Sequence, residues 1–226
     1  MSHWLEVVSG LFLVIAFVCS LIILADILAG RRQPMWIMNV VWPITALYAG
    51  PFALWSYYKL GRPSAGKHQS GHHSSARSKP FWQSVVLGTT HCGGGCTLGD
   101  ILAEWFVFFV PLSLFGMTLL AAWSMDFVLA FLLGIAFQYY SIKPMRDISV
   151  AAGLLAAVKA DALSLAAWQI GMYGWMAIVI FVIFGREIAK TDPVFWFMMQ
   201  MAMLAGFATS YPVNWWLIRK GIKEAM

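Results

Sequence analysis

Between Trp4 and Leu28 the chain carries only two charged side chains, Glu6 and Asp26. An unbroken apolar run longer than the ~20 residues that cross a bilayer core as a helix restricts the fold severely. In hydrocarbon every backbone N–H and C=O must be answered within the protein, which leaves helices or a closed barrel. Comparable runs occupy Trp36 to Tyr58, Phe81 to Trp123, Trp123 to Ile142, Ile148 to Phe184 and Val194 to Ile218. Their lengths suit helices and not the short alternating strands of a barrel. With 61% hydrophobic and 11% charged residues and a mean hydropathy of +0.74, the chain lies outside the range of soluble domains. The expected class is an all-α polytopic membrane helix bundle of about six transmembrane helices. The start, Met-Ser-His-Trp-Leu-Glu, lacks a basic leader pattern and reads as a retained span.

Three sections follow from the composition along the chain. Residues 1–58 hold two N-terminal transmembrane helices, the second bent by Pro43 and Pro51. Residues 59–80 are a basic, His-rich hydrophilic loop, and residues 81–226 form the motif-bearing bundle. With six spans, Lys59, Arg62, Lys67, Arg77, Lys79, Lys143, Arg146, Arg219, Lys220 and Lys223 fall on one side. Only Arg31, Arg32, Arg186 and Lys190 fall on the other. Under the positive-inside rule both termini and the long loop are cytoplasmic, in an inner (cytoplasmic) membrane. The net charge of +5 therefore reports topology, and no interleaved basic and aromatic patch points to nucleic acid.

The chemistry concentrates in His91-Cys92-Gly93-Gly94-Gly95-Cys96-Thr97-Leu98-Gly99-Asp100, followed by Glu104. Three consecutive glycines argue against a helix interior, so the expectation is a re-entrant or interfacial Gly-rich segment over Phe81 to Cys96. Thr97 and Asp100 have capping-box spacing, predicting a helix that starts there, runs to Trp123 and bends at Pro111. Cys96 would then sit at a positive helix end that favours thiolate. Thiolate and imidazole suit copper(I) or zinc, and carboxylates suit harder ions or protons. His91, Cys92, Cys96, Asp100 and Glu104 are thus the candidate metal ligands, with copper or zinc the expected ion. The bland reading makes the glycines packing residues, Asp100 a cap and the thiols small hydrophobes.

Lys159 and Asp161 precede a span expected from Ala162 to Phe184 and are the candidate charge-balancing or proton-linked groups. Lys159 is expected to pair with Asp100 or Glu104, against the plainer reading that it snorkels to the interface. His68, His72 and His73 in the loop, the methionines Met117, Met172, Met176, Met198, Met199, Met201 and Met203, and Asp26 are weaker candidates. The absence of H-E-x-x-H, G-x-S-x-G and Walker patterns removes support for zincin proteolysis, α/β-hydrolase chemistry and ATP-driven pumping, and no cofactor-binding motif replaces them. Cys19, Cys92 and Cys96 are too few for a four-Cys cluster.

The His91 to Asp100 run with Glu104, Lys159-Ala160-Asp161-Ala162-Leu163-Ser164 and Tyr211-Pro212-Val213-Asn214 resembles an uncharacterised family of prokaryotic integral membrane proteins, domain of unknown function 4396. The resemblance spans Phe81 to the C-terminus and implies that the three motifs form one module; it brings no settled activity. The functional expectation is a membrane protein that binds a transition metal, copper(I) first, in a polar pocket, handling or translocating it without ATP. Its partners would be the bilayer, the ion and a membrane or cytoplasmic metal-handling protein. A Cys92/Cys96 or metal-centred membrane oxidoreductase, with a quinone as partner, and an accessory subunit of a membrane complex are the alternatives, so whether the chain is an enzyme stays open.

Overall fold

The computed structural model describes residues 3–63, 80–143 and 149–224. The loop histidines His68, His72 and His73 lie outside the described residues. Six helices follow in order: α1 (His3–Leu28), α2 (Met38–Ser56), α3 (Phe81–Phe109), α4 (Thr118–Ile142), α5 (Val150–Ala177) and α6 (Pro193–Arg219). Short π-helical continuations, Tyr57–Gly61 and Ile178–Ile183, extend α2 and α5. The all-α polytopic bundle expected from the apolar runs is what forms. α1, α4, α5 with its continuation, and α6 are long and apolar enough to cross a membrane. On α1 the buried residues Ser9, Ala16, Cys19, Ser20, Ile23 and Ile27 recur at helical spacing as one inward stripe.

The chain does fold back on itself, but in α2 and not in the Gly-rich segment. At Gly50 the backbone adopts φ 48°, ψ −124°, and the helix folds back on itself. The rings of Trp42 and Tyr57 meet at 5.6 Å, and a Cβ on Gly61 would lie 2.5 Å from the Trp42 ring. In one straight helix residues 42 and 61 would stand about 28 Å apart. Glycine permits the positive φ, and Pro51 opens the second arm where its missing N–H is harmless. That missing N–H leaves the Leu47 carbonyl without its intrahelical donor, and Gln200 Nε2 supplies one at 2.7 Å. The open end of the hairpin is locked to α1 by Arg62, which grips Asp26 at 2.7 and 2.9 Å, while the Tyr57 hydroxyl donates to the same carboxylate at 2.8 Å.

Because α2 returns to the end where it began, the connections before and after it share that end. α3 starts there too, since Leu87 packs with Ile27, Met38 and Trp42. The start of α1 lies at the opposite end beside the start of α6, where Phe12 and Phe197 meet at 5.3 Å. Lys223, beyond α6, reaches back to the Gly88 carbonyl near the start of α3. The two described ends of the chain therefore sit at opposite ends of the bundle. An even number of spans would put the two ends together; here the hairpin returns α2 to the end of the bundle where it began.

α3 is one continuous helix through Gly93, Gly94 and Gly95, and its first half is not re-entrant. Thr97 is no cap: its hydroxyl donates to the Gly93 carbonyl one turn back at 2.7 Å. Cys96 lies mid-helix, away from any terminal dipole. α3 ends at Phe109, and a turn closed by Leu114 and Met117 precedes α4, so no helix runs from Thr97 to Trp123. The glycines are packing devices. A Cβ on Gly93 would strike Trp168 of α5 at 2.4 Å, one on Gly94 would meet Val41 of α2 at 3.0 Å, and one on Gly95 would press the Gly134 backbone of α4 at 2.7 Å. Gly99 faces the Ala130 backbone at 2.4 Å in the same way. Gly95 and Gly99 against Ala130 and Gly134 form a small-xxx-small contact on both helices. The helix cost of each glycine, about 1 kcal/mol, is offset by close approach on three sides.

The folded-back α2 predicts a labelling pattern. In a background with the three native cysteines replaced, Arg32→Cys and Lys59→Cys will react with an impermeant maleimide from the same side of a sealed vesicle, and Ser113→Cys from the other. A straight, crossing α2 would place Arg32 and Lys59 on opposite sides.

Candidate functional site

Enclosure of α3 puts its polar residues where lipid and bulk water are excluded. Cys92, Cys96, Asp100 and Glu104 recur every fourth residue, so they form a slowly drifting stripe about 18 Å long on the inward face. All are buried, and so is His91. Ionisable groups in such an interior are costly to keep and mark ion or proton paths.

At one end of the stripe stands an ion pair that the sequence does not announce. Lys223 Nζ approaches Asp161 Oδ1 at 2.5 Å, and both side chains are 0% exposed. The lysine also donates to Asn214 Oδ1 at 2.8 Å and to the Gly88 carbonyl at 3.4 Å. Asn214 is in turn held by Ser210 at 3.0 Å. α5 begins at Val150 with Ser149 as its cap, at 3.3 Å from the Ala152 N–H, and not near Ala162. Asp161 therefore lies inside a helix and faces the bundle, whereas Lys159, two residues away, is exposed. Lys159 pairs with neither Asp100 nor Glu104; among the described residues the cations that meet the column's carboxylates are Lys223, buried, and Lys190, partly exposed.

From the ion pair a chain of polar groups leads inward. Ser164 donates to Asp161 Oδ1 at 2.7 Å, and Cys92 Sγ lies 3.4 Å from the Ser164 hydroxyl. Cys96 follows one turn along α3. Next, Asp100 Oδ1 accepts from Gln169 Nε2 of α5 at 3.2 Å. At the far end Glu104 forms an ion pair with Lys190, and Asp126 of α4 is buried in the same electrostatic neighbourhood as Glu104 and Asp100. Within this column Asp161 Oδ2, Asp100 Oδ2 and Gln169 Oε1 have no hydrogen-bond partner among the described residues. Such atoms are few in packed interiors, and here they line one path.

The proposed ligands do not converge. Cys92 and Cys96 are one turn apart on one face, but His91 is rotated about 100° from Cys92 and its Nε2 meets the Ser141 hydroxyl of α4 at 3.2 Å. Asp100 and Glu104 stand one and two turns beyond Cys96. An ion bonded at about 2.0–2.3 Å to its donors reaches the two thiols but not the whole set, and no group of three His, Cys, Asp or Glu among the described residues is arranged to hold a metal. Of the methionines, Met172, Met176, Met198, Met199 and Met203 are core filler, while Met117 is exposed. Asp26 serves the α1 to α2 lock.

Asp126 and Gln169 escaped the sequence reading, Lys190 and Lys223 were counted there only as loop charges, and Ser164 only as the end of a quoted motif. For Asp126 the signal was available, a carboxylate within an apolar run. Lys223 sits among tail cations that look alike in sequence.

Fold and column define a polytopic helical membrane protein with a polar path enclosed by its helices. The model of a domain of unknown function (DUF4396) matches residues 81–223, and the chain belongs to that family. No curated protein and no solved structure matches it significantly.

Removing one member of a buried ion pair strands the other charge. Lys223→Met is expected to lower stability by about 3–5 kcal/mol, read as loss of melting temperature in detergent. Lys223→Met combined with Asp161→Asn should recover most of that loss.

Proposed function

We propose that this protein passes cations through its helix bundle without ATP, with the α3 column as a proton path. The observation that carries the reading is the four-residue repeat Cys92, Cys96, Asp100, Glu104, enclosed by protein and closed at its ends by Lys223 with Asp161 and Lys190 with Glu104. Asp161, Asp100 and Glu104 accept and release protons; Ser164 and Gln169 bridge them; the lysines keep the path near neutrality when it is empty. The α2 hairpin supports the same reading. Half-helices that meet inside a bundle are a recurring device of transporters, and here Tyr48, just before the Gly50 turn, contacts Trp168 at 5.9 Å beside the column.

The membrane is a prokaryotic cytoplasmic membrane. Arg31, Arg32, Lys59, Arg62, Lys143, Arg219, Lys220 and Lys223 gather at one end of the bundle, and Arg186 and Lys190 at the other. The basic end with the C-terminus is cytoplasmic and the N-terminus external.

A second reading rests on the thiol pair. Copper(I) is soft and accepts sulfur donors, so Cys92 and Cys96, adjacent on one face, are a two-sulfur station on the path, with Asp100 and Glu104 compensating its charge by proton release. His91 then orients α3 against α4 and is not a ligand.

In liposomes loaded with a pH-sensitive dye, an imposed potential should drive proton entry with wild type and with Lys159→Ala. Asp100→Asn and Asp161→Asn should fall to the rate of protein-free vesicles; unaltered flux in both would remove the proton path. Elemental analysis after copper(I) loading tests the second reading, with about one copper per chain in wild type and none in Cys92→Ser with Cys96→Ser.

A further inference from the structure

At the end of the bundle away from Lys223, α3, α4, α5, α6 and the 184–192 connection enclose a cavity of ≈ 450 Å³. Its wall is mostly apolar, with Phe108, Met172 and Met176 beside the Trp123 and Tyr173 rings, which stack at 5.1 Å and 13°. Three carboxylates and one amine face it: Glu104, Asp126, Lys190 and, at the exposed rim, Glu187.

The partners divide unevenly. Lys190 contacts Glu104, pairing with its carboxylate and donating to its carbonyl at 3.3 Å, and its charge reaches Asp126 only at longer range. The Lys190 carbonyl accepts from Trp196 Nε1 at 2.7 Å, which pins this connection beside the cavity. Tyr173 does not serve Asp126 either, because its hydroxyl donates to the Trp123 carbonyl at 2.7 Å. Asp126 is left 1% exposed, lining the cavity, with Oδ1 lacking any hydrogen-bond partner among the described residues. Glu104 and Asp126 lie within hydrogen-bonding reach of each other and share Lys190 as the nearby amine, so this buried pair holds one carboxylate more than it has cations.

We infer that this cavity binds a small organic monocation, a protonated amine with an apolar body, its ammonium on Asp126 and its body against the Trp123 and Tyr173 rings. The one carboxylate in excess matches one positive charge, and aromatic faces stabilise an ammonium further. A bare metal ion would leave most of the volume unfilled, and no group of three His, Cys, Asp or Glu among the described residues is arranged to hold one; an apolar body of several carbons fills it. The inference names a substrate class for the cation path proposed above, and it stands on the geometry of the cavity itself.

The test is calorimetric titration of the detergent-purified full chain with 2-phenylethylammonium, beside the neutral 2-phenylethanol and a divalent metal salt. The ammonium should bind saturably, the alcohol and the metal should not, and Asp126→Asn should weaken the ammonium by about tenfold or more. Trp123→Leu keeps the carboxylate and should weaken binding too, which covers the case in which Asp126→Asn fails to fold. Equal binding of alcohol and ammonium, binding of the metal alone, no binding to wild type, or unchanged affinity in folded Asp126→Asn would each overturn the inference. Binding is read without flux, so a failed proton path in liposomes leaves this result untouched.

Discussion

The structure depends on how closely other helices approach α3. In a bilayer, apolar burial against a neighbour gains little over burial against lipid, so helices associate through tight contacts and polar partners. Gly93, Gly94, Gly95 and Gly99 let α5, α2 and α4 approach α3 from three sides. That enclosure removes lipid from around Cys92, Cys96, Asp100 and Glu104. Packing and polarity are thus one device: without the glycines the carboxylates would face hydrocarbon, and without buried polar groups the chain would have little reason to wrap one helix so completely.

The ends of the column follow from the same constraint. Carboxylates held away from water require cations, and the chain brings them from its connections: Lys190 from the segment before α6 and Lys223 from the segment after it. Both flank α6, whose middle also carries Gln200 to the Leu47 carbonyl at the α2 turn. α6 therefore touches both charged ends and the tip of the hairpin. A shift of α6 would disturb both ion pairs and the hairpin together.

Several elements were readable from residues alone. The run from Trp4 to Leu28 is a helix because no other structure satisfies so long an apolar backbone in lipid, and the stripe through Cys92, Cys96, Asp100 and Glu104 follows from spacing once α3 is continuous. The Gly-rich segment misled because helix propensity counts the lost entropy of three glycines and not the neighbours they admit. Pro43 and Pro51 announced a bend in α2, but how far it bends depends on Gly50, whose positive φ is a choice that α1, Trp42 and Gln200 stabilise together. Lys159, which cannot face Asp161 two residues away, was expected to meet Asp100 or Glu104, yet that same rotation turns it out of the bundle while Asp161 turns in.

Composition and period were enough to determine a membrane-embedded helical chain and the candidate residues on α3, because hydrocarbon solvent and the 3.6-residue turn act locally. The tertiary structure alone decided which amine meets which carboxylate, that α2 returns to its own side, and that Asp126 faces a cavity beside Glu104. Those outcomes depend on contacts between residues far apart in the chain, and no local pattern encodes the distance between Lys223 and Asp161.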